Sequence, residues 1–399
     1  MHNKKINDVL YISALASEKR INKEHKKTGK NPGFAVQKFS RLLVKGILEN
    51  NVNVLALSNP PHVGGRGEYV HFEKEIEHEI KYKYIPYINI PLLKHVFLFL
   101  YTFFYVLFWG LRKRNDKAII CDVLAISICI GALFASKINR ILSVAVITDL
   151  YGLMPNVDKK SFLVRMASKL NAWYSSAFDK YILLTEQMNE VVNPKNRPHM
   201  VMEALCDSTL VQYNYQTVEK SHPRTIIYAG GINEIYGLKM LAEGFLKADV
   251  KDTKLVYYGH GPYVEEFKKL CKLHSNLEYR GIASNEVVVN EELKASLLVN
   301  PRFTTEAYTK YSFPSKNMEY MASGTPLLTT NLPGMPKEYH NYVFLFKEET
   351  VEGYADAIRE ILSKTEPELI SFGLKAKKFV LENKNNKAQG KRIIDFINK

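Results

Sequence analysis

Asn300–Pro336 reads NPRFTTEAYTKYSFPSKNMEYMASGTPLLTTNLPGMP. Two short apolar runs, Leu297–Asn300 and Pro326–Thr329, bracket a segment of helical period, Ser315–Ala322. Pro314 stands where proline opens a helix, since first-turn N–H groups have no intrahelical acceptor and its fixed φ suits the turn. Gly324 stands where a left-handed residue closes one. Strand, loop, helix, strand is the crossover that joins parallel strands, so this stretch predicts an α/β fold. Ser315 and Lys316 fall at the helix start, where free amides favour an anion such as a diphosphate. Lys316 adds a full positive charge. Glu319, three residues on, shares the face and can accept from paired hydroxyls. An amide cradle, a cation and a carboxylate within one turn predict a nucleotide-sugar reader; the alternative is an ordinary capped surface helix.

The same grammar extends in both directions. Downstream of the midpoint, strands are predicted at Thr225–Tyr228, Leu255–Tyr258, Leu277–Tyr279 and Tyr342–Phe346, with helices near Ile235–Ala248, Tyr263–Lys272 and Val351–Leu362. Upstream, Val9–Ser13, Val52–Ser58, Ile80–Tyr84, Ala118–Cys121, Ser143–Ile147 and Tyr181–Leu184 alternate with helical stretches at Phe34–Glu49, Val123–Lys137 and Phe162–Ser176. Short apolar, β-branched runs alternating with helices describe parallel sheets covered on both faces. Polar, proline-punctuated segments at Val192–Pro198 and Gln212–Pro223 mark the junction. The expected organisation is a first Rossmann-like domain over 1–197, a second over 198–380, and a terminal helix over 381–399 returning to the first. Two doubly wound domains in tandem are expected to face each other across a cleft, at the carboxyl ends of both sheets, where such sheets bind ligands.

The 399 residues are 46% hydrophobic and 24% charged, a globular balance that excludes a disordered chain. The formal net charge is +14, and residues 1–120 hold 20 Lys+Arg against 10 Asp+Glu, so most of the surplus lies there. A basic half-molecule suits an anionic partner: nucleic acid, an acidic membrane or a phosphorylated substrate. No RNA-platform or helix-turn-helix signature accompanies the charge, so no nucleic-acid partner is expected. Val96–Trp109, VFLFLYTFFYVLFW, has fourteen uncharged residues, eight of them aromatic. That is short of the ~18 apolar residues needed to cross a bilayer. It reads either as a buried helix of the α/β domain or as an interfacial helix, with Lys94 and Arg112-Lys113-Arg114 meeting anionic headgroups. No secretory leader is visible, and the four cysteines lack redox or zinc spacing; reduced thiols of a cytoplasmic protein are expected.

FPSKNMEYMASGTPLL resembles the donor-binding signature of family 4 glycosyltransferases of GT-B fold, especially the bacterial capsule and exopolysaccharide branch. IIYAGGINEIYGLKML resembles the opening strand-loop-helix of that family's carboxyl-terminal domain, and YYGHGPYVEEF its next strand and turn. LYISALAS, NPGFAVQKFSRLLVKG and AVITDLYG resemble amino-terminal elements of the branch. The resemblance implies a retaining transfer from a nucleotide-diphosphate sugar to a lipid-linked saccharide, at the inner face of the plasma membrane. It assigns Glu319 to the donor ribose, as the second of two glutamates eight positions apart. Pro314, Ser315 and Lys316 fall to the diphosphate, Gly230 and Gly231 to the first turn of the donor domain, Ile282 to the loop that reads the nucleobase. Gly33 would let the amino-terminal backbone approach the donor phosphates, and Asp149 would lie beside the transferred sugar.

The chain departs from that pattern at three places. Tyr311 stands where the first glutamate belongs, and Gly231 and Tyr236 replace an Arg and a Lys that grip the diphosphate in relatives. Arg302 and Lys316 are the expected substitutes, because Arg offers a planar fork matched to phosphate. Bond cleavage leaves negative charge on the departing diphosphate, and fixed cations and helix amides stabilise it. The sequence contains no Asp-x-Asp and no clustered histidine motif, so no metal or cofactor is expected. Asp149 either orients the acceptor or caps its loop. His25, His62 and His71 are expected on solvated, loop-rich segments, and Gly64–Gly67 as a mobile loop. A nucleotide-sugar epimerase, and a degenerate homologue that only binds nucleotide sugars, are the competing readings.

Overall fold

The computed structural model describes residues 5–112, 116–150, 162–212 and 218–399. They form two compact units, 1–205 with 385–399 and 206–384. Unit 1 runs β1 (Asp8–Ser13), α1 (Glu18–Thr28), α2 (Phe34–Leu48), β2 (Asn53–Ser58), β3 (Tyr69–Val70), β4 (Glu75–Glu77), β5 (Ile80–Tyr84), β6 (Tyr87–Ile88) and α3 (Leu93–Arg112). It continues through β7 (Lys117–Asp122), α4 (Ile126–Asn139), β8 (Leu142–Ile147), α5 (Phe162–Ser175), β9 (Lys180–Leu183), α6 (Met188–Val192) and β10 (His199–Val201). Eight of these strands make one sheet in the order β10-β9-β8-β7-β1-β2-β5-β4, parallel except for β4 against β5. β3 and β6 pair as a separate antiparallel ribbon.

Unit 2 runs β11 (Arg224–Gly231), α7 (Leu238–Ala248), β12 (Thr253–His260), α8 (Val264–Leu273), β13 (Leu277–Tyr279), α9 (Asn285–Lys294), β14 (Leu297–Asn300) and α10 (Ser315–Ser323). β15 (Leu327–Thr329), β16 (Phe344–Leu345), α11 (Val351–Leu362) and α12 (Glu366–Asn383) complete it, and α13 (Asn386–Asn398) returns to unit 1. Its sheet is wholly parallel in the order β13-β12-β11-β14-β15-β16. Counted within the unit, that is the 3-2-1-4-5-6 order of the Rossmann fold. Central strands covered on both faces must be apolar throughout, and β7 and β14 are buried at every residue.

The chain leaves unit 1 at Leu205–Cys206, later than position 197, because β10 still adds a strand to the first sheet. The return begins at Asn385, after α12 ends. α13 lies tight on α2: a Cβ on Gly46 would overlap the backbone of Asn386, and one on Gly390 would overlap Gly46. Asn386 Nδ2 donates to Glu49 Oε2 (2.8 Å), and Gln389 Nε2 to the Ala204 carbonyl (3.0 Å).

Three helices escaped the reading of apolar period: α1, the five-residue α6, and α9. α1 buries only Ile21, and its hold comes from polar chemistry. The Ser17 hydroxyl caps it by accepting from Arg20 N–H, while Arg20 pairs with Glu75 and lies 4.1 Å over the Phe72 ring. His25 is therefore helical rather than in a loop. His62 is not solvated: its side chain is held between Glu24 (3.3 Å) and Glu68 (3.6 Å). Gly64 and Gly65 are pinned through their carbonyls by Asn89 Nδ2. Cys121, Cys129 and Cys206 are buried free thiols, and Cys271 is partly exposed.

Candidate functional site

In a parallel sheet of order 3-2-1-4-5-6, the strand order switches sides between strands 1 and 4, so their connections lead away in opposite directions and the crevice beyond their carboxyl ends is left open for a ligand. Here those strands are β11 and β14, paired through Ile226 with Leu297 and Ile227 with Leu298. β11 ends in Gly230-Gly231, and β14 ends at Asn300, two residues before Arg302.

The side chains around this point converge. A Cβ on Gly230 would lie 2.5 Å from Lys316 Cε and 3.1 Å from the Tyr228 hydroxyl, so only glycine lets the lysine lie across the strand end. A Cβ on Gly231 would sit 3.4 Å from the Tyr236 ring. The Arg302 guanidinium stacks on that ring, its carbon 3.6 Å from the centroid, and its backbone N–H donates to Thr330 Oγ1 (3.1 Å). Arg302 Nη1 is buried and makes no well-formed hydrogen bond, although the Tyr228 and Tyr308 hydroxyls lie close to the guanidinium. A buried guanidinium N–H left unpaired is costly, and a phosphate oxygen would satisfy it. Burial pushes the Tyr228 phenol up to about 12, against the opposing pull of Arg302.

α10 is aimed at the same place by a buried polar trio. Asn300 Nδ2 donates to Asn317 Oδ1 (2.6 Å), Asn317 Nδ2 to Thr329 Oγ1 (3.4 Å), and Thr329 Oγ1 to the Asn300 carbonyl (2.8 Å). Phe313, buried against the Tyr339 ring at 5.0 Å, anchors the entry to the helix. Pro314 is the N-cap and offers no side-chain acceptor to the first-turn amides. Ser315 is exposed, Lys316 and Glu319 half-buried. The Tyr320 hydroxyl accepts from Ala229 N–H (2.8 Å), tying the helix to the strand end beside Gly230.

Gly230, Gly231, Arg302, Pro314, Ser315, Lys316 and Glu319 therefore belong to one neighbourhood. Ile282 is 77% exposed in the loop after β13; the carbonyl of its neighbour Gly281 accepts from the Gly259 N–H (2.8 Å), and Gly259 packs against the Gly230 backbone. Gly33 starts α2 with φ 85°, but a Cβ there would meet open space, so its requirement is conformational rather than one of close approach. Asn31 Oδ1 already accepts from the Gly33 and Phe34 amides (2.8 and 3.2 Å).

In unit 1 the corresponding switch point lies between β1 and β7, and β7 ends in Asp122, which the sequence reading passed over as a strand terminus. Burial pushes its carboxyl up to about 6; the charge of Asp149 adds to the shift, and the Leu124 N–H opposes it. Asp149, just past β8, is also raised to about 6 by burial. Two carboxyls at the carboxyl edge of one sheet, each titrating near neutrality, form a second candidate locus. Among the described residues, no group of three or more His, Cys, Asp or Glu is placed to hold a metal.

Residues 223–364 match the family model described as glycosyl transferases group 1. No curated protein sequence matches the chain significantly. Among solved structures, a glycosyltransferase from Rickettsia africae superposes with TM-score 0.67 at 15% identity, over 98% of each chain. The lipopolysaccharide outer core galactosyltransferase WaaB gives 0.62 at 13%, over 98% of this chain and 99% of its own. Anabaena HepE, solved in complex with UDP and glucose, gives 0.59 at 13%, over 97% and 98%. The chain spans only 60% of the length of S. aureus TarM, which it also resembles in fold. At such identities the likeness speaks for the fold, which is GT-B with two Rossmann-like domains. The matched stretch lies within the second unit, from β11 to Lys364, just before α12.

Proposed function

We propose that this protein is a metal-independent, retaining glycosyltransferase that moves a sugar from a nucleotide diphosphate to a lipid-linked saccharide. In this reading it acts in cell-surface polysaccharide assembly, in the family 4 capsule and exopolysaccharide branch, at the inner face of the plasma membrane. The observation that carries the reading is the guanidinium of Arg302, stacked on Tyr236 with a buried, unpaired Nη1 beside the glycine pair and Lys316.

Glycosidic cleavage of a sugar–diphosphate places negative charge on the departing phosphate. Arg302 and Lys316 are two fixed cations next to a helix start, and they need no reorganisation as that charge develops. They stand in for the Arg and Lys replaced by Gly231 and Tyr236, and they give the diphosphate charge stabilisation that a metal would otherwise supply. Glu319 takes the donor hydroxyls. HepE holds UDP and glucose on the same fold, which is the ligand class proposed here. On unit 1, Asp149 orients the acceptor hydroxyl or steadies the sugar's positive charge, with Asp122 behind it. Basic residues of the first 120 suit an acceptor bearing a lipid diphosphate.

The test is release of nucleoside diphosphate from UDP-, GDP- and dTDP-sugars, with and without a lipid-linked saccharide fraction. Acceptor-dependent release is expected. An epimer formed from donor alone, or nucleotide binding without turnover on any acceptor fraction, replaces the proposal with an epimerase or a degenerate binder.

A further inference from the structure

α3 presents a stripe of exposed apolar side chains, Val96, Leu100, Phe104, Phe108 and Leu111, at helical spacing. The stripe does not stop at that helix. Phe108, Phe104, Phe103, Phe99, Phe134 of α4 and Trp173 of α5 form an unbroken run of rings, each centroid within 6.4 Å of the next. Ile138 (62% exposed), Phe108 (61%) and Trp173 (59%) show how far this surface faces solvent. Contiguous exposed apolar area on that scale marks an interaction surface.

The sequences of the three helices carry five Lys or Arg (Lys94, Arg112, Lys137, Arg165 and Lys169) and no Asp or Glu. That asymmetry decides among occupants. Lys137 is paired with Asp179, and a second copy would set the remaining four cations against four in an isologous contact, which is repulsive. An anionic bilayer supplies both hydrocarbon for the rings and headgroups for the cations.

α3 is long and apolar enough to cross a membrane by composition, yet its packing says it lies flat. Leu98, Thr102, Val106 and Gly110 are buried on the inner side, and Gly131 of α4 has no room for a Cβ, which would lie 2.5 Å from the Phe99 carbonyl. The helix is clipped at both ends: His95 Nδ1 lies 2.8 Å from Ser127 Oγ, and Asn139 Nδ2 donates to the Leu107 carbonyl (2.9 Å). A helix so fastened keeps one face for the protein and one for the interface.

We propose that α3, α4 and α5 form a single docking face that lays unit 1 on an anionic lipid bilayer. This deepens the membrane placement proposed above, while the docking itself does not rest on the transfer reaction. The chain's two tryptophans, Trp109 and Trp173, both lie on these helices and report on it. With the full chain carrying W109F, vesicles of phosphatidylcholine containing about one third phosphatidylglycerol should shift Trp173 emission to the blue, and bromine on the acyl chains should quench it. Pure phosphatidylcholine should give a weaker response, and added salt should weaken the anionic one. F104S, I138S and the pair R165E/K169E should each lower the vesicle partition constant about tenfold, with far-UV dichroism and melting unchanged. No flotation with anionic vesicles, or a concentration-dependent dimer that I138S dissolves, overturns the proposal. Nucleotide-induced stabilisation of the same variants, measured without lipid, reads the transferase proposal separately.

Discussion

Replacing Arg302 by alanine separates what this side chain gives to a ligand from what it gives to the fold. Its Nη1 is buried with no partner, so in the empty protein that N–H contributes desolvation cost and no hydrogen bond. What Arg302 does give the fold is a cation–π contact with Tyr236 at 3.6 Å, worth about 0.5–2 kcal/mol, and burial of its stem. These terms oppose each other, so the stability of empty Arg302→Ala should stay within about 1 kcal/mol of the parent. Donor binding should behave differently. A charge-assisted hydrogen bond to a diphosphate oxygen contributes about 1.5–3 kcal/mol. At about 1.4 kcal/mol per tenfold, Kd for the nucleoside diphosphate should rise about 10- to 100-fold. The monophosphate should lose much less. Arg302→Lys should recover only part of the loss, since an ammonium cannot make the planar fork nor stack on Tyr236 in the same way. Calorimetric titration with paired mono- and diphosphates reads the difference directly. Diphosphate affinity within about twofold of the parent, alongside unchanged stability, would refute the assignment.

Gly230→Ala should weaken donor binding about tenfold or more, because the new Cβ at 2.5 Å displaces Lys316 from the strand end; full affinity for the diphosphate would show that the lysine has no part there. Tyr320→Phe removes the acceptor of the Ala229 N–H (2.8 Å) and should cost about 1–3 kcal/mol in denaturant unfolding, so an unchanged midpoint counts against the tie between α10 and β11. Asp122→Asn tests the unit 1 locus through pH. A carboxyl raised from 3.8 to about 6 holds more protons folded than unfolded, so it removes stability as pH climbs through that window and keeps it removed above. The asparagine variant should therefore be more stable than the parent at pH 8, by up to ~3 kcal/mol, the advantage fading as pH falls and gone below about 3. An advantage that grows toward acid would reverse the sign and sink the assignment.

The sequence was most legible where one residue type answered one backbone demand. Pro314 and Gly324 bracket α10, and both sheets' central strands read directly from apolar runs. α1 was hidden because a helix burying one residue has no apolar period; its stability comes from a cap and the Arg20–Glu75–Phe72 contacts, which are distant in sequence. The apolar segment left two readings open, buried or interfacial, since composition cannot say which neighbours a helix finds. α3 answers with both: Thr102 and Val106 buried, Phe104 and Phe108 exposed. Asp122 lay at the end of a run read as strand, and nothing local announces a switch point, which is a property of strand order. Of the stretch DLYGLMPNVDKK that follows Thr148, only Asp149 and Leu150 are among the described residues, and Lys113 and Arg114 of the basic cluster lie outside them.

The substitutions that first suggest a degenerate site argue the other way once their surroundings are known. Glycine at 231 and tyrosine at 236 remove two cations from the turn after β11, but together they make room for a third. The Tyr236 ring lies flat under Arg302, and Gly231 leaves that ring 3.4 Å from where a Cβ would be. A lysine on a turn must give up rotamer freedom to meet a phosphate, whereas a guanidinium stacked on an aromatic plane has already lost it. In the proposed site, carrying the charge at the end of β14 rather than on the turn therefore exchanges a flexible cation for a preorganised one. A chain that bound no anion would gain stability by losing a buried N–H without a partner, and here that N–H belongs to the residue two positions after Asn300, whose Oδ1 is also buried and unpaired. Unmet donors and acceptors beside the crevice that strand order leaves between β11 and β14 are what a site for a polar ligand requires before the ligand arrives.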